Sequence, residues 1–204
     1  MKNSIFITFE GIEACGKSTQ SKLLAERLVN EGYKVTLTRE PGGPPISERI
    51  REILLDLNNF VMAPETELLL FMAARSQHTF ECIKPNLEFS SIVISDRYSD
   101  STLAYQGAAR KLDLKFIKKL NEFATFGLKP DITFLLDIPV EYSLERVANK
   151  MKDRVELEPT SFHNAVREAF LRLSQEEKRF VLLDGTQGIA ELHEEIYKKI
   201  KESL

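Results

Sequence analysis

The chain has 204 residues, of which 43% are hydrophobic and 29% are charged, a composition typical of a globular protein with one sizeable core. Its net charge of −3 argues against a nucleic-acid-binding protein, because a phosphate backbone requires a surplus of lysine and arginine. The longest uncharged apolar run, residues 68–74, is too short to cross a bilayer, and the N-terminus has no secretion-signal pattern. The only cysteines are Cys15 and Cys82, so we expect no structural disulfide and a cytoplasmic location.

Five short runs rich in β-branched and aromatic residues predict strands at 5–9, 34–38, 91–95, 131–136 and 180–183. These runs are continuously apolar, as expected for parallel strands that are covered on both faces. The first helical pattern follows the first strand and ends near Gly32, and the others lie at 48–57, 65–80, 112–127, 141–150, 169–177 and 189–204.

This alternation predicts an α/β fold, with a five-stranded, mainly parallel sheet and helices on both faces. We expect a single domain over residues 1–204, since no repeat or linker interrupts the pattern. The charged segment at 151–161 contains Pro159 and lies between two helical patterns. It predicts a short lid at about residues 150–161.

A phosphate-binding motif, G-x-x-x-x-G-K-[ST], occupies residues 11–18 between the first strand and the first helix. Its glycines let backbone N–H groups turn toward a phosphate, and the helix N-terminus adds a favourable dipole. We expect Lys17 to contact the β- and γ-phosphates of a nucleotide, and the Ser18 hydroxyl to hold Mg²⁺. The predicted nucleotide-binding residues are Gly11, Ile12, Glu13, Ala14, Cys15, Gly16, Lys17, Ser18 and Thr19.

A GTPase switch protein is disfavoured by the same sequence. Such a protein reads guanine with Asn-Lys-x-Asp, and the nearest segment, 149–153, is one residue too long. The motif therefore predicts a P-loop NTPase fold without assigning a guanine nucleotide.

Polar segments at the ends of the second and third strands indicate a second ligand. Residues 38–43 and 95–98 both fall at the rim where open parallel sheets bind ligands. Phe71 and Arg75 are four residues apart and share a helix face, so an aromatic ring and a guanidinium together suit a base that carries a carbonyl. Each of these residues also has an interpretation without a ligand. Phe71 could be a core residue, and Arg75 and Arg51 could be solvated helix charges. Asp96 and Arg97 could form a local salt bridge, and Tyr105 could cap a hydrophobic patch.

Three sequence segments together resemble bacterial thymidylate kinases: FEGIEACGKSTQ at 9–20, TREPGG at 38–43, and DRY at 96–98 followed by STLAYQG at 101–107. The similarity runs along essentially the whole chain, including KPDITFLLDIP at 129–139. The resemblance implies transfer of the ATP γ-phosphate to thymidine monophosphate (dTMP), with Mg²⁺, in a homodimer. The alternatives are a kinase for another nucleoside monophosphate, such as deoxyuridine monophosphate (dUMP), or a non-catalytic nucleotide-binding protein, which the intact Lys17, Ser18 and Arg97 disfavour.

The resemblance also implies roles on the nucleoside side of the acceptor. Phe71 stacks on thymine, and Arg75 donates to its O4 atom, where cytosine carries an opposing amino group. Thr102 and Gln106 lie near the pyrimidine and the sugar, and Tyr105 crowds the ribose 2′ carbon.

On the phosphate side, Arg51 and Arg97 resemble the arginines that clamp the acceptor monophosphate. Glu13 matches an acidic residue that contacts the 3′-hydroxyl or the magnesium shell. Asp96 is expected to be an outer-shell partner of Mg²⁺, and Glu40 is expected to support the acceptor pocket.

The sequence departs from the family pattern at two places. Ala14 stands where some members have a catalytic arginine, so the resemblance points to an arginine of the lid, with Arg154 first and Arg146 second. Pro44 and Pro45 follow the PGG turn where threonine is usual, which leaves the start of the next helix open, and Cys15 is interpreted as a loop filler. The predicted catalytic residues are Lys17, Arg97, Glu13 and Arg154.

Overall fold

The computed structural model describes residues 4–89, 92–148 and 153–203. Its strands are β1 Ile5–Glu10, β2 Val35–Arg39, β3 Ile92–Asp96, β4 Ile132–Asp137 and β5 Phe180–Asp184. They form one parallel sheet in the order β2-β3-β1-β4-β5. The predicted α/β fold with a five-stranded parallel sheet is confirmed, and the predicted strand ends are correct to within one residue.

Helices fill the connections between the strands. Those of the described residues are α1 Lys17–Asn30, α2 Pro45–Leu55, α3 Pro64–His78, α4 Lys84–Glu88, α5 Ser99–Thr102, α6 Leu114–Ala124, α7 Val140–Val147, α8 Thr160–Glu176 and α9 Ile189–Lys201. Shorter helical pieces are a 3₁₀ turn at Leu57–Asn59 and π-helical turns at Thr79–Ile83 and Leu103–Ala109. None of these described helices is both long and apolar enough to span a membrane.

The core lies on both faces of the sheet, as the alternation of side chains along β1 shows. Ile7 and Phe9 point into the larger cluster, which includes residues of α1, α8 and α9. Phe6 points to the other face and packs with Val93, Tyr98 and Ile83. The helices therefore cover the sheet from two sides.

The two outer strands differ from the prediction that every strand is covered on both faces. Leu37 of β2 is 45% exposed and Leu182 of β5 is 52% exposed. Each strand has a neighbour on one side only, because β2 and β5 form the edges of the sheet. An apolar run therefore did not distinguish an edge strand from a central one.

Two helix starts are earlier than predicted, and both follow a proline. Helix α2 begins at Pro45 rather than residue 48, because the missing N–H of proline needs no partner in the first helical turn. Helix α8 begins at Thr160, directly after Pro159, rather than at residue 169. Its first turn is anchored by buried Phe162, so residues 160–161 of the predicted lid are helical.

The remaining part of the predicted lid is only partly described. Residues 149–152 lie outside the described residues. They include the start of the predicted lid, the last two residues of the predicted helix 141–150, and most of the 149–153 segment that was compared with the guanine-reading motif. Residues 154–157 form turns, and Arg154 and Val155 are buried. The helical segment from Ser99 to Ala109 was not predicted at all.

Candidate active site

The phosphate-binding loop connects β1 to α1, and its geometry depends on glycine. Gly11 and Gly16 have φ values of +139° and +104°, in the region that favours glycine. A Cβ on Gly11 would lie 2.5 Å from the carbonyl oxygen of Leu136 and 2.8 Å from Cys15 Sγ. Ala14 also has a positive φ of 54°. The first glycine is thus required by close approach as well as by backbone conformation.

Lys17 is the first residue of α1, and its side chain is folded against the loop. Its Nζ atom donates to the carbonyl oxygen of Ile12 at 2.7 Å and to Cys15 Sγ at 3.4 Å. An ammonium has three N–H donors, so one remains for a ligand. Cys15 is buried with its sulfur between Gly11 and Lys17.

Ser18 and Asp96 meet although they are far apart in the sequence. The parallel pairing of β1 with β3 sets Asp96 opposite Phe9, so its carboxylate faces the start of α1. The Ser18 hydroxyl donates to Asp96 Oδ2 at 2.5 Å, which leaves the oxygen lone pairs of Ser18 free to face a cation. Among the described residues, no three histidine, cysteine, aspartate or glutamate side chains gather to hold a metal by themselves.

Arg97 reaches across to the loop from the turn after β3. Its Nη1 atom donates to the carbonyl oxygen of Gly11 at 2.9 Å and to Ser101 Oγ at 3.2 Å, and its Nη2 atom donates to Glu13 Oε1 at 3.2 Å. Tyr105 donates its hydroxyl proton to the same Glu13 oxygen at 2.6 Å. The acidic side chain of the loop and the predicted acceptor residues therefore form one cluster.

The charges around Glu13 keep it ionised. Burial raises the pKa of this carboxyl, but the neighbouring His163 imidazole and the charges of Arg97 and Lys17 outweigh burial and lower the pKa to about 2. His163 Nδ1 lies 3.5 Å from Glu13 Oε2, in contact but not aligned as a hydrogen bond, and the neighbouring Glu13 carboxylate raises the pKa of His163. Burial lowers the pKa of Arg97, but the negative charges of nearby carboxylates, including Glu13 and Asp96, outweigh burial and raise it above the ordinary value.

Glu10 supports the turn that carries Arg97. Arg97 has a φ of +70°, a strained value for a residue with a side chain. Glu10 is fully buried and accepts the backbone N–H of Tyr98 at 2.8 Å and the hydroxyl of Ser101 at 2.6 Å. Burial and the charge of Asp100 raise the pKa of Glu10 to about 7. Sequence reasoning missed this residue, although its position directly before the loop, at a strand end, was a usable signal.

Arg75 lines the cavity beside the loop and is 2% exposed. Its Nε atom donates to Glu40 Oε2 at 2.8 Å, and its Nη2 atom donates to the carbonyl oxygen of Tyr98 at 3.0 Å. Its Nη1 atom donates to Thr102 Oγ1 at 2.7 Å and to Asn121 Oδ1 at 2.8 Å. A guanidinium has five N–H donors, so one on Nη2 is left over. The alternative of a solvated helix charge is wrong for Arg75.

The cavity has a volume of about 280 Å³. Phe71 is half-buried, lines this cavity, and belongs to none of the hydrophobic clusters of the described residues, so it is not a core residue. The other predicted site residues that line it are Glu13, Ala14, Lys17, Ser18, Glu40, Arg51, Arg75, Asp96, Arg97, Thr102, Tyr105 and Gln106. The structure thus brings all the predicted acceptor residues and four of the nine predicted nucleotide-binding residues to one cavity, which Gly11, Ile12, Cys15, Gly16 and Thr19 do not line.

Arg51 and Gln106 both line the cavity and are held by other residues of the protein. Arg51 Nη1 donates to the carbonyl oxygen of Pro41 at 2.8 Å, and partial burial together with the charge of Arg39 lowers its pKa. Gln106 is buried and donates to Glu67 Oε1 at 2.8 Å. Thr19, the last predicted loop residue, is exposed and does not line the cavity.

Arg154 is not at the phosphate-binding loop. Its Nε atom donates to the carbonyl oxygen of Leu54 at 2.9 Å, and its Nη2 atom lies 2.6 Å from Glu67 Oε2, in contact but not aligned as a hydrogen bond. Arg154 does not line the cavity, although Asp153 and Val155 on either side of it do. Arg146, by contrast, donates to the carbonyl oxygen of Ala14 at 3.0 Å.

Several buried polar residues behind the site had no signal in the sequence. Glu67 accepts from Gln106 and Arg110, and Asn121 contacts Arg75 from α6. Each lies in a segment whose pattern indicated only an amphipathic helix. Their roles depend on side chains that are distant in the chain.

The comparisons with known proteins agree on one family. The family model for thymidylate kinase matches residues 9–196. The chain is 50% identical over 194 residues to the thymidylate kinase of Geotalea uraniireducens (strain Rf4) and 53% identical over 195 residues to that of Geotalea daltonii, with 91% of each chain covered in both cases. Its fold is similar to the crystal structure of thymidylate kinase from Ehrlichia chaffeensis, with a TM-score of 0.79, 36% sequence identity and coverage of 97% of this chain and 98% of that chain.

Proposed function

This chain belongs to the thymidylate kinase family and has dTMP kinase activity, and on that basis we propose that Mg·ATP binds at residues 11–18 while dTMP occupies the adjoining cavity. One observation carries the assignment of the acceptor. The cavity has a half-buried ring, Phe71, and on the same helix a buried Arg75 with a single N–H left over. A flat base with a carbonyl at its edge satisfies both groups.

Thymine recognition follows from the direction of that hydrogen bond. Thymine has an acceptor at O4, whereas cytosine has an amino donor at the equivalent position. The free N–H of Arg75 would therefore oppose the cytosine amino group and leave two buried donors facing each other. The Thr102 hydroxyl accepts from Arg75 and keeps its own proton for the pyrimidine.

The sugar and the acceptor phosphate lie toward the loop in this proposal. Tyr105 is 6% exposed, and its hydroxyl is fixed by Glu13, so its ring leaves little room for a ribose 2′-hydroxyl. Arg51 and Arg97 line the cavity between the base pocket and the phosphate loop, where they clamp the monophosphate. Glu13 faces the acceptor and holds Arg97 in position.

The residues present fit a magnesium ion. Ser18 and Asp96 offer hydroxyl and carboxylate oxygens, and Mg²⁺ characteristically takes few protein ligands and fills its shell with water and phosphate oxygens. When bound, Mg²⁺ neutralises charge on the β- and γ-phosphates. Lys17 directs its remaining N–H to the same phosphates, and Arg97 orients the attacking dTMP oxygen in line with the γ-phosphorus.

The loop itself has no arginine, so a further cation must come from elsewhere. Arg154 remains the first candidate. In this proposal its guanidinium leaves Glu67 and binds the transferring phosphoryl group, whose negative charge it then stabilises. Arg146 is the second candidate, since it already contacts the loop at Ala14.

We also propose that the protein is a single-domain, cytoplasmic homodimer. Helices α3 and α6 pack together through Leu68, Met72 and Ile117. On and just beyond their outer faces they expose large apolar side chains: Leu69, Phe80, Phe116, Phe123 and Phe126. A second copy of the chain would cover this apolar face. Cys15 and Cys82 are both unpaired, in keeping with a reducing compartment.

The proposal is tested by measuring ADP release from Mg·ATP with dTMP, dUMP and deoxycytidine monophosphate (dCMP) in turn. We expect dTMP to be the best acceptor and dCMP the poorest. Equal kcat/KM values for dTMP and dCMP would rule out the Arg75–O4 contact as the source of specificity.

A further inference from the structure

His78 is a fully buried residue that contacts Glu40 behind Arg75, and it does not line the cavity. It is the last residue of α3, three positions after Arg75. Its Nδ1 atom lies 3.0 Å from Glu40 Oε1, and its Nε2 atom lies 2.7 Å from Thr38 Oγ1. The other oxygen of Glu40 accepts from Arg75 Nε at 2.8 Å. Thr38, His78, Glu40 and Arg75 thus form one continuous hydrogen-bonded chain.

We propose that His78 is a positioning residue for thymine recognition, which holds Glu40, and through it Arg75, so that the one free N–H of Arg75 points into the cavity. The inference rests on the proposed contact between Arg75 and thymine. It adds that the direction of this contact is set from β2, through the imidazole, rather than by Arg75 alone.

The geometry supports positioning because each Glu40 oxygen has its own partner. A carboxylate held through one oxygen can rotate about its Cγ–Cδ bond, whereas partners on both oxygens fix its plane. Fixing that plane fixes the Nε–H of Arg75, and a planar guanidinium then has all its other N–H directions determined.

The imidazole is itself held in place. Thr38 binds the far side of the ring, and the turn at Gly43 packs on it: a Cβ on Gly43 would lie 3.0 Å from His78 Cδ2 and 3.2 Å from Thr38 Oγ1. Burial alone would lower the pKa of His78, but its Cys82 and Glu40 partners raise it to about 9. At neutral pH both ring nitrogens therefore carry protons, so Nδ1 donates to Glu40 and Nε2 donates to Thr38.

Two amide variants separate the two sides of the ring. In His78→Asn the side-chain NH₂ group takes the place of Nδ1 and still donates to Glu40, whereas in His78→Gln it takes the place of Nε2 and reaches Thr38 instead. We expect His78→Gln to raise the Kd for dTMP about tenfold, the loss that follows a broken buried hydrogen bond, and His78→Asn to stay within about threefold of wild type. The Kd for ATP should be unchanged in both.

A double-variant cycle distinguishes positioning from a general structural role. Arg75→Lys keeps a positive charge against Glu40 and removes the free N–H, so it should weaken dTMP binding by itself. In that background His78→Gln should have no further effect on the Kd for dTMP, because its effect passes through Arg75. Thr8→Val is the matched control: it removes the 2.8 Å buried hydrogen bond between Thr8 and Thr133, neither of which lines the cavity, and should leave dTMP binding unchanged.

The other possible outcomes contradict either the contact between Arg75 and thymine or the positioning role of His78. If Arg75→Lys binds dTMP like wild type, the thymine contact itself fails, and this inference fails with it. If Arg75→Lys weakens binding but His78→Gln does not, or if the two effects are additive, only the positioning role of His78 is wrong. Should His78→Gln fail to fold, Thr38→Val removes the support behind the ring, and an unchanged Kd for dTMP in that variant overturns the inference equally.

Discussion

Arg154 and Glu67 form a buried ion pair, with Nη2 of the arginine 2.6 Å from Oε2 of the glutamate and both side chains more than nine-tenths buried. Glu67 is also the acceptor for Gln106 and Arg110, so the segment after α7 is tied to α3 through one carboxylate. The hydrogen bonds from Arg110 and Gln106 lower the pKa of Glu67 against the effect of burial, so it stays charged at neutral pH. The arginine expected to assist catalysis is therefore held by an internal anion.

If Arg154 exchanges Glu67 for the transferring phosphoryl group, its loss should be felt in the transition state. We expect Arg154→Ala to lower kcat by about 100-fold or more, with little change in the KM for ATP. Arg146→Ala removes only an exposed contact to the Ala14 carbonyl and should lower kcat less than about tenfold. Steady-state kinetics of the two variants decide between them, and the reverse ranking would assign the missing charge to Arg146.

Arg75 should control the choice between thymine and cytosine. In Arg75→Lys the charge beside Glu40 is kept, but the N–H that faces O4 is lost, so we expect kcat/KM for dTMP to fall about tenfold or more. The value for dCMP should fall less, because cytosine has no acceptor at that position. The ratio of the two kcat/KM values measures the effect. The control is Arg172→Lys on the exposed surface of α8, where the ratio should not move.

Phe71 should contribute through its ring face. We expect Phe71→Ala to weaken dTMP binding by about 1–3 kcal/mol, the range found for base stacking on aromatic side chains, while Phe71→Tyr keeps most of the affinity. Isothermal titration calorimetry with dTMP gives both values. Phe60→Ala, which truncates a phenylalanine that is 78% exposed, is the control for general effects of losing an aromatic ring. A dTMP affinity in Phe71→Ala equal to wild type would mean that the ring does not contact the base.

The elements of this fold were predictable where one local pattern was strong. The five strands were found because β-branched and aromatic runs of four to six residues, bounded by polar residues, favour strands. The start of α8 was missed because Thr160, Ser161 and His163 break the apolar periodicity, while Phe162 and Val166 are buried by contacts with distant elements. The exposure of β2 and β5 depends on sheet order, which no short window contains.

The residues of the site also fall into two groups: those of one contiguous motif, which were predictable, and those that meet only in the folded protein, which were not. The loop from Gly11 to Ser18 was predictable because its glycines, lysine and serine are contiguous and each has a separate physical requirement. The support behind it was not, since Glu40 and His78 are 38 residues apart and meet only when β2 and α3 pack. The position of Arg154 was also beyond the sequence, because a charged segment with a proline predicts an exposed lid rather than an arginine buried against Glu67.

The apolar face on α3 and α6 should hold two copies of the chain together. Phe123 is 79% exposed on this face, and we expect Phe123→Asp to convert a dimer into a monomer at micromolar concentration, since a buried unpaired charge is costly. Light scattering coupled to size-exclusion chromatography measures the mass. Phe60 has a matched exposure of 78% and lies outside both α3 and α6, so Phe60→Asp should leave the mass of the wild-type assembly unchanged. A wild-type protein that is already monomeric would contradict the dimer proposal.

The free energy of unfolding should fall at acid pH as Glu13 becomes protonated. Its pKa is about 2 in the folded protein against an ordinary value of 4.5, so the ionised carboxylate stabilises the fold fully above pH 4.5. That contribution, on the order of 3 kcal/mol at most, is lost as the pH falls from 4.5 toward 2. In Glu13→Gln the neutral amide cannot titrate, so the difference in unfolding free energy between wild type and variant should shrink steadily over this range. Urea unfolding at a series of pH values measures the difference.

The control for Glu13 is Glu26→Gln, at a glutamate whose side chain is 57% exposed, and it should show no such trend. A constant difference for Glu13→Gln over this pH range would mean that the carboxylate is not stabilised by His163 and Arg97.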